Sequence, residues 1–440
     1  IARSSFQRLA AVNPKLNEFI DKAAANIKKW LTEEQFEDYQ PALKGLIQLS
    51  QGDDEIANEL FDSFWRLIPF GTGGRRWRVG IGPNRMNAYI VALTAQGHIN
   101  YLLSTYNPEE VRRRGVIAAH DVRVFKEFFP ETPSLKKYSE VIEKKCPVVF
   151  GIDSRKFSEI EALIYAGNGI KFYYPLEARS TPWLSFQTWT IYKNLKDDIW
   201  NKDGESRSMG GIVNSSSHNL PDNNGTKFYE QDGGQAPPAE AQVIVDAGNA
   251  VTKINYYQGT LAEAKVQSLV VPLEGEVLKM ADKAYFDAVL APLEDFLPRD
   301  RRTAVVAFHA LNGTGDTSLG EALKVAGFKV VRDPNDLHDG LFPTAFANTP
   351  NPEVENSFDM PIAVAIKRDI DFLKIRNINV VIDPDNRGFV VRAQDRYDAI
   401  MDDLRICQIA LCTDPDADRS GLAIKVIEEL SNGDIKLRWV

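Results

Sequence analysis

The strongest constraint on the fold is a repeated alternation of short apolar runs with amphipathic stretches. The runs Val116–Ala119, Val148–Ile152 and Ile170–Tyr174 each predict a buried β-strand, and Ser158–Ala166 predicts a helix between the last two. Strand, helix and strand in succession form the unit from which mostly parallel sheets are built. This part of the chain therefore predicts an α/β fold.

The same alternation returns further along the chain. Ala304–Phe308 and Lys329–Val331 predict strands on either side of a helix at Thr317–Ala326, and Ile409–Cys412 predicts a later strand. The last twenty residues, from Gly421, predict a hairpin. We therefore expect successive mixed-sheet α/β domains, divided as an N-terminal helical extension at 1–69, a first domain at 70–265, a second at 266–355 and a partial third at 356–440.

Composition argues against several classes of protein. The formal net charge is −9, whereas nucleic-acid binders usually carry a basic face, so we expect no nucleic-acid partner. No stretch approaches the roughly 18 continuous apolar residues of a membrane helix. The three cysteines contain no CxxC pair, and their odd number argues against a disulfide framework. We expect a cytoplasmic protein without a membrane partner, as a monomer or a weak homodimer.

A serine-rich segment is the first candidate for chemistry. Gly210 to Asn219 reads GGIVNSSSHN, in which a short strand delivers three serines and a histidine into a loop. A serine hydroxyl beside a histidine can act as a nucleophile, although a polar loop with capping duties has the same composition. Lys227, which follows the Asn224-Gly225 turn, adds a cation that could neutralise a phosphate.

An acidic segment follows the predicted strand Ile409–Cys412. Asp414, Asp416 and Asp418 occupy alternate positions in DPDADR, and such hard oxygen ligands suit Mg²⁺ or Ca²⁺. An EF-hand loop would need Gly at its sixth position and Glu at its twelfth, which are Arg419 and Lys425 here, so that motif is excluded. A solvated acidic turn is the alternative, but repulsion among the carboxylates favours a bound ion.

Three further segments give weaker signals. Phe70 to Arg76 reads FGTGGRR, in which glycine amides and arginines could form an anion site, although the spacing fits neither a Walker loop nor GxGxxG. The phrases HDVR at 120–123 and IDSR at 152–155 favour structural Asp–Arg pairs. His309 ends a predicted strand and is expected to be structural.

The order of these segments is more specific than any one of them. FGTGGRR, DSR, SSSHN, NGTK, TPNPE and DPDADR, in this order over residues 70–440, resemble the α-D-phosphohexomutase superfamily of phosphoglucomutases and phosphomannomutases. The DPDADR variant is similar to the branch of phosphoglucomutases related to phosphopentomutases and glucose-1,6-bisphosphate synthases.

The resemblance implies a role for each matched residue. Ser217 would carry the phosphoryl group, His218 and Lys227 would be catalytic, and Asn219 would bind substrate or phosphate. Arg76 and Arg419 would add positive charge near the phosphate, and one Mg²⁺ would be held by Asp414, Asp416, Asp418 and phospho-Ser217. The implied activity interconverts glucose 1-phosphate and glucose 6-phosphate through a hexose bisphosphate, with His218 or Lys227 as the general base.

Several positions depart from the family pattern. Leu220 replaces the proline after His-Asn, Trp77 replaces a glycine, and Asn312 replaces a histidine. The sugar-recognition loop GEESG and the fourth domain with its RxSGT loop are absent from the 440 residues. The alternatives are therefore a phosphomannomutase, a phosphopentomutase or a sugar-bisphosphate synthase, or an inactive paralogue with a structural or regulatory role.

Overall fold

The structure is a computed structural model that describes residues 1–69, 74–190, 208–383, 387–395 and 407–440. The chain forms two compact units. Unit 1 comprises Ile1–Ala178, Leu184–Ser216 and Leu220–Leu278. Unit 2 comprises Arg179–Trp183, Ser217–Asn219 and Lys279–Val440. Two short pieces around positions 180 and 218 therefore belong to unit 2 although the chain on either side of them belongs to unit 1.

The N-terminal region of unit 1 is helical, as its sequence predicts. Its helices are α1 (Ala2–Val12), α2 (Ile20–Thr32), α3 (Gln40–Leu49) and α4 (Asp54–Phe64). Trp30 of α2 is buried and stacks on Phe36, with ring centroids 4.3 Å apart. The apolar faces of these helices share one core with residues as distant as Phe157, so the extension packs onto the rest of unit 1.

A six-stranded mixed sheet forms the centre of unit 1. Its strands are β1 (Gly74–Arg78), β2 (Val116–His120), β3 (Phe172–Pro175), β4 (Gly211–Asn214), β5 (Asn223–Tyr229) and β6 (Val270–Leu273). The spatial order is β1-β5-β4-β2-β3-β6. Strands β4, β2, β3 and β6 run parallel, whereas β5 is antiparallel to both β4 and β1.

Further helices follow the N-terminal region along the chain. They are α5 (Ala88–Thr105), α6 (Pro108–Arg114), α7 (Pro133–Lys145), α8 (Ser154–Gly167), α9 (Thr181–Thr190), α10 (Pro238–Asn249) and α11 (Leu261–Val266). The segment that links β2 to the parallel strand β3 contains α7 and α8, and α8 covers the predicted helix at Ser158–Ala166. Asp153 caps α8 by accepting a hydrogen bond from the Lys156 amide at 2.6 Å. Among the described residues, no helix is both long and apolar enough to span a bilayer.

The predicted strand at 148–152 is wrong. This segment forms turns, because the amides of Val149 and Phe150 both donate to the Cys146 carbonyl at 3.0 Å. The neighbouring places in the sheet are already taken, since β2 lies between β3 and β4. Asp153 joins Val124 only in an isolated bridge. This largely apolar run of five residues thus forms turns, in which Val149 and Ile152 are buried.

Unit 2 contains a seven-stranded sheet. Its strands are β7 (Val305–His309), β8 (Lys329–Arg332), β9 (Val380–Ile382), β10 (Gly388–Val391), β11 (Cys407–Thr413), β12 (Ser420–Glu429) and β13 (Ile435–Trp439). The helices α12 (Gly275–Phe296), α13 (Leu319–Val325) and α14 (Asp359–Ile375) accompany it, although the first four residues of α12 belong to unit 1. The strand order is β8-β7-β11-β12-β13-β10-β9, and β12 and β13 form the predicted hairpin.

The proposed boundary near residue 355 lies inside unit 2. Strand β11 from the C-terminal side pairs in parallel with β7 from the N-terminal side, so both segments contribute to one sheet. Helix α14 packs against β7, β8 and β11, with Ile362 and Leu373 in the shared core. Strands β9 and β10, from the stretch 367–395, extend the opposite end of the same sheet.

Glu59 of α4 gives the helical region a testable anchor. Its carboxylate accepts from Arg85 Nη2 at 2.7 Å and from Arg78 Nη1 at 2.8 Å, and the Arg85 side chain is 1% exposed. Glu59→Gln is expected to destabilise unit 1 by about 3 kcal/mol, because a buried guanidinium loses its principal charge partner. Denaturant unfolding measures the change.

The matched control is Asp54→Asn on the same helix. Asp54 pairs with Arg8 at 2.6 Å, but both side chains are substantially exposed. Its replacement is expected to cost roughly 1 kcal/mol or less. Equal losses in the two variants would contradict the assignment of Glu59 as an anchor.

Candidate active site

The serine loop begins where β4 ends. Asn214 is the last residue of β4, and the Ser215 amide donates to the Gly225 carbonyl at 2.9 Å. Ser217 is 1% exposed and has a backbone φ of 53°, in the left-handed region that non-glycine residues seldom adopt. Its Oγ lies 3.2 Å from His218 Nδ1. Left-handed residues of this kind concentrate at functional sites, where the surrounding structure maintains them.

The acidic loop begins where β11 ends. The Ala417 amide donates to the Asp414 carbonyl at 3.0 Å, and the Arg419 amide donates to Asp414 Oδ1 at 3.0 Å. These bonds fold DPDADR into a tight turn in which Ala417 also has a left-handed φ of 53°. One oxygen from each of Asp414, Asp416 and Asp418 lies within 4.8 Å of the others, so the predicted carboxylates converge.

A hydrogen bond joins the two loops. Ser217 Oγ donates to Asp414 Oδ2 at 2.6 Å, and both residues belong to unit 2. The two segments are separated by 197 positions in the sequence. The structure thus brings together the serine and the three aspartates that the sequence selected independently.

The electrostatics of this cluster fit a divalent cation. Burial raises the pKa of Asp414 well above its usual range, and the charges of Asp416 and Asp418 raise it further. The hydrogen bond from Ser217 opposes this shift. Asp414 and Asp416 are fully buried, whereas Asp418 is exposed. Three carboxylates and a hydroxyl provide the hard oxygen ligands that Mg²⁺ prefers, and a cation would relieve their repulsion.

Thr181 is a contributor that the sequence reasoning missed. Its Oγ1 donates to Asp416 Oδ2 at 3.0 Å, and its amide donates to the Asp416 carbonyl at 2.8 Å. Thr181 begins α9, with Pro182 in the first turn. Just before it, Arg179 forms a bidentate pair with Asp282 at 3.0 and 2.8 Å. The phrase Ser-Thr-Pro was a visible helix-start signal, but nothing local connected it with the acidic loop.

The turn after β7 supports the acidic loop from another side. Both the amide and Oγ1 of Thr314 donate to the Pro415 carbonyl at 2.8 Å. A Cβ at Gly313 would lie 2.4 Å from Pro415 Cα, so only glycine permits this approach.

Asn312, which replaces the family's histidine, has structural contacts, because its Nδ2 donates to the Leu337 carbonyl at 2.8 Å. His309 is likewise buried, and its Nδ1 accepts from the Leu311 amide.

The other residues predicted for unit 2 lie close by in the chain. Asn219 follows His218 in the same segment and is partly exposed, as is His218. Arg419 ends the acidic turn, and its Nη1 donates to Glu353 Oε1 at 3.1 Å. Glu353 belongs to the TPNPE segment, so two of the motifs in the predicted set meet at this contact.

Arg76 and Lys227 lie on neighbouring strands of unit 1. Gly74 of β1 pairs with Lys227 of β5, and Arg76 pairs with Gly225, so the two cations share one face of the sheet. A Cβ at Gly225 would lie 2.5 Å from Arg76 Cγ, so the glycine leaves room for the arginine side chain. Lys227 is buried and Arg76 is partly buried. Residues 70–73 of FGTGGRR lie outside the described residues.

The HDVR phrase has a structural role. Arg123 Nε donates to Asp121 Oδ2 at 3.0 Å, which is the expected Asp–Arg pair. Arg123 Nη1 also donates to the Leu220 carbonyl at 2.6 Å. The backbone of Leu220, where the family has proline, is therefore held by a charged donor. In the second phrase, Asp153 caps α8 and Arg155 pairs instead with Glu159 at 3.4 Å.

The chain is similar to known proteins over much of its length. Residues 134–255 match the family described as "Phosphoglucomutase/phosphomannomutase, alpha/beta/alpha domain I", a stretch that includes Ser217 and Lys227. The chain is 24% identical over 355 residues to a phosphoglucomutase of Staphylococcus haemolyticus, covering 77% of this chain and 53% of the relative. It is 26% identical over 336 residues to a phosphoglucomutase of Staphylococcus saprophyticus, covering 76% and 50%.

A solved structure supports the fold. The crystal structure of a putative phosphomannomutase from Thermus thermophilus matches with a TM-score of 0.50 and 19% identity, covering 82% of this chain and 57% of that one. The chain thus spans about half the length of the curated relatives that it matches.

The carboxylate cluster predicts direct metal binding. Asp416→Asn removes one negative charge from the cluster and is expected to weaken Mg²⁺ binding by at least about tenfold. Calorimetric titration with Mg²⁺ measures this without reference to activity. The control is Asp371→Asn, an exposed aspartate on α14, which should leave the affinity unchanged.

Thr181 predicts a smaller effect on the same titration. Thr181→Val removes the Oγ1 donor to Asp416 and should weaken Mg²⁺ binding by roughly tenfold, the usual effect of losing a residue that orients a ligand. Thr181→Ser keeps the hydroxyl and should restore the affinity. Equal affinities for the valine and serine variants would show that the hydroxyl does not orient Asp416.

Proposed function

We propose that the chain is a phosphoglucomutase-type enzyme of the phosphohexomutase superfamily, which transfers a phosphoryl group through Ser217. The observation that carries the proposal is the 2.6 Å hydrogen bond from Ser217 Oγ to Asp414 Oδ2. It links the residue type that can carry a phosphoryl group to a cluster of oxygen ligands suited to a divalent cation. Its partners come from two motifs far apart in the chain.

The proposed reaction exchanges phosphoryl groups without net consumption of water or a second substrate. Phospho-Ser217 gives its phosphoryl group to a free hydroxyl of the sugar monophosphate, whose proton passes to a base, and Ser217 Oγ is the leaving group. The resulting sugar bisphosphate changes its orientation in the site and returns its other phosphoryl group to Ser217. The product is the isomeric monophosphate, and the serine is phosphorylated again. Catalysis of this kind depends mainly on positioning and on neutralising phosphate charge.

The residues around Ser217 suit these tasks. Asp414, Asp416 and Asp418 would hold Mg²⁺, which when bound supplies positive charge to the phosphoryl oxygens. Thr181 and Thr314 hold the acidic loop in the shape that brings the carboxylates together. The left-handed backbone at Ser217 aims its hydroxyl at Asp414, so the nucleophile is positioned before substrate binds.

Further roles in this proposal come from the resemblance to the family. It implies that Lys227, Arg76 and Arg419 would neutralise phosphate charge. His218 Nδ1, 3.2 Å from Ser217 Oγ, is within the distance at which a general base exchanges a proton with a serine. His218 and Lys227 are the two proposed bases, and Asn219 would contact the substrate.

The proposed substrates are glucose 1-phosphate and glucose 6-phosphate. Support comes from the curated relatives, which are named phosphoglucomutases. The DPDADR sequence is similar to the branch that also contains phosphopentomutases and bisphosphate synthases. Assay of the full-length natural protein with glucose, mannose and pentose phosphates distinguishes these substrates.

Ser217→Ala predicts complete loss of the proposed activity. The variant lacks the oxygen that accepts the phosphoryl group, so turnover of glucose 1-phosphate by the full-length protein should fall by a factor on the order of 10⁴ or more. Coupled measurement of glucose 6-phosphate formation follows the reaction.

The neighbouring Ser216→Ala variant is the matched control. It makes the same chemical change one residue earlier in the loop and should retain activity within about tenfold. If Ser217→Ala kept normal turnover while Ser216→Ala lost it, Ser216 rather than Ser217 would be the phosphoryl carrier. Normal turnover in both variants would contradict a serine carrier in this loop.

A further inference from the structure

A fully buried carboxyl group lies behind the serine loop. Glu161 of α8 is 0% exposed, and its Oε2 accepts a hydrogen bond from Asn214 Nδ2 at 2.7 Å. Its Oε1 lies 3.3 Å from Thr226 Oγ1. Asn214 is the last residue of β4 before the serine loop, and Thr226 immediately precedes Lys227 on β5. Glu161 therefore joins the two strand positions that lead into proposed catalytic residues.

The protons available for the hydrogen bonds around Glu161 determine the protonation state of its carboxyl group. Thr226 has one hydroxyl proton, and its shorter contact is to Asn214 Oδ1 at 2.8 Å. Asn214 Nδ2 uses its two protons on Glu161 Oε2 and on Ser158 Oγ at 3.0 Å. The 3.3 Å contact between Thr226 Oγ1 and Glu161 Oε1 then has no proton unless Glu161 supplies it. All the contacts are satisfied when Glu161 is a neutral carboxylic acid that donates to Thr226.

Among the described residues, no charged side chain forms a hydrogen bond or ion pair with Glu161. Titratable side chains on α8, on β5 and on the elements packed around them include Arg75 on β1, His98 on α5, His120 and Asp121 at the end of β2, Tyr165 on α8, Tyr174 on β3, Lys227 on β5, and Glu263 and Lys265 on α11. Within the described part of the chain, none of these hydrogen-bonds to Glu161. Arg75 instead donates to Thr94 and Asn249.

Electrostatics agree with the proton count. Burial raises the pKa of Glu161 to about 8, and the hydrogen bonds from Asn214 and Thr226 only partly oppose this. An isolated charge in such a site would be costly, because burial removes the hydration of the carboxylate.

We propose that Glu161 is a positioning residue which, as a neutral acid, fixes Asn214 and Thr226 and thereby orients the serine loop and Lys227. Its link to catalysis rests on the proposed function, but its protonation state does not. Ionisation would remove the donor to Thr226 and leave a buried charge between β4 and β5. The register of these strands, Asn214 opposite Thr226, would then be weakened at the point where the serine loop begins.

The first test compares stability across pH for the full-length wild type, Glu161→Gln and Glu161→Leu. Glutamine keeps one acceptor and one donor but does not titrate. The wild-type pKa is raised on folding, so the folded state binds the extra proton and stability is lost as pH rises between about 4.5 and about 8. Within this window the folding constant of wild type should fall relative to Glu161→Gln by up to about tenfold per pH unit.

The matched control is Glu159→Gln, two residues earlier on the same helix. Glu159 pairs with Arg155 and Lys156 and does not contact β4 or β5. The stability of the Glu159→Gln variant should therefore equal that of wild type at every pH. A constant ratio between wild type and Glu161→Gln from pH 4.5 to 8 would overturn the neutral-acid assignment, even if Glu161→Leu failed to fold.

The second test is the pH profile of turnover. We expect wild-type turnover to decline above about pH 8, and Glu161→Gln should lose this decline while keeping kcat within about threefold of wild type. Glu161→Leu should lower kcat by about tenfold or more, since a misplaced nucleophile is costly. Equal pH profiles for wild type and Glu161→Gln would contradict the positioning role. If wild type lacked mutase activity, the proposed function would fail, and the stability titration would still decide the state of Glu161.

Discussion

The proposed site depends on one electrostatic constraint: three carboxylates converge at the end of a strand, and two of them are buried. Like charges at this separation repel, and burial strengthens the repulsion by removing water. The chain maintains the arrangement with neutral donors. Thr181 binds Asp416, Ser217 binds Asp414, and Thr314 holds the backbone at Pro415. Such a cluster has the oxygen ligands that suit a divalent cation, and the serine hydroxyl is hydrogen-bonded to one of its carboxylates.

The serine is positioned by backbone geometry together with buried polar contacts. Strand β4 brings the chain to Asn214, three residues before Ser217, and the left-handed φ at Ser217 directs its hydroxyl to Asp414. The following turn is fixed by Arg123, which donates to the Leu220 carbonyl. In the proposal Glu161 completes this support at the start of the loop. Leu220 supplies no ring to stiffen the backbone, and a charged hydrogen bond takes over part of that task.

Sequence patterns predicted the α/β class, most of the strands and the convergence of Asp414, Asp416 and Asp418, because these features depend on local composition and spacing. The prediction of a strand at Val148–Ile152 was wrong, because an apolar run can also form a turn when the positions in the sheet are already occupied. The pairing of β11 with β7 across residue 355, and the contact of Thr181 with Asp416, are set by tertiary structure. No local pattern encodes contacts between residues so far apart in the chain.

The central claim is that Ser217 carries the phosphoryl group, and the most direct measurement is the location of that group. The full-length protein is incubated with glucose 1,6-bisphosphate and Mg²⁺, and its peptides are sequenced by tandem mass spectrometry. The account predicts an increase of about 80 Da on Ser217, which is lost when glucose 1-phosphate or glucose 6-phosphate is added. Phosphate on Ser215 or Ser216 instead, or no phosphate that sugar phosphates can discharge, would contradict it.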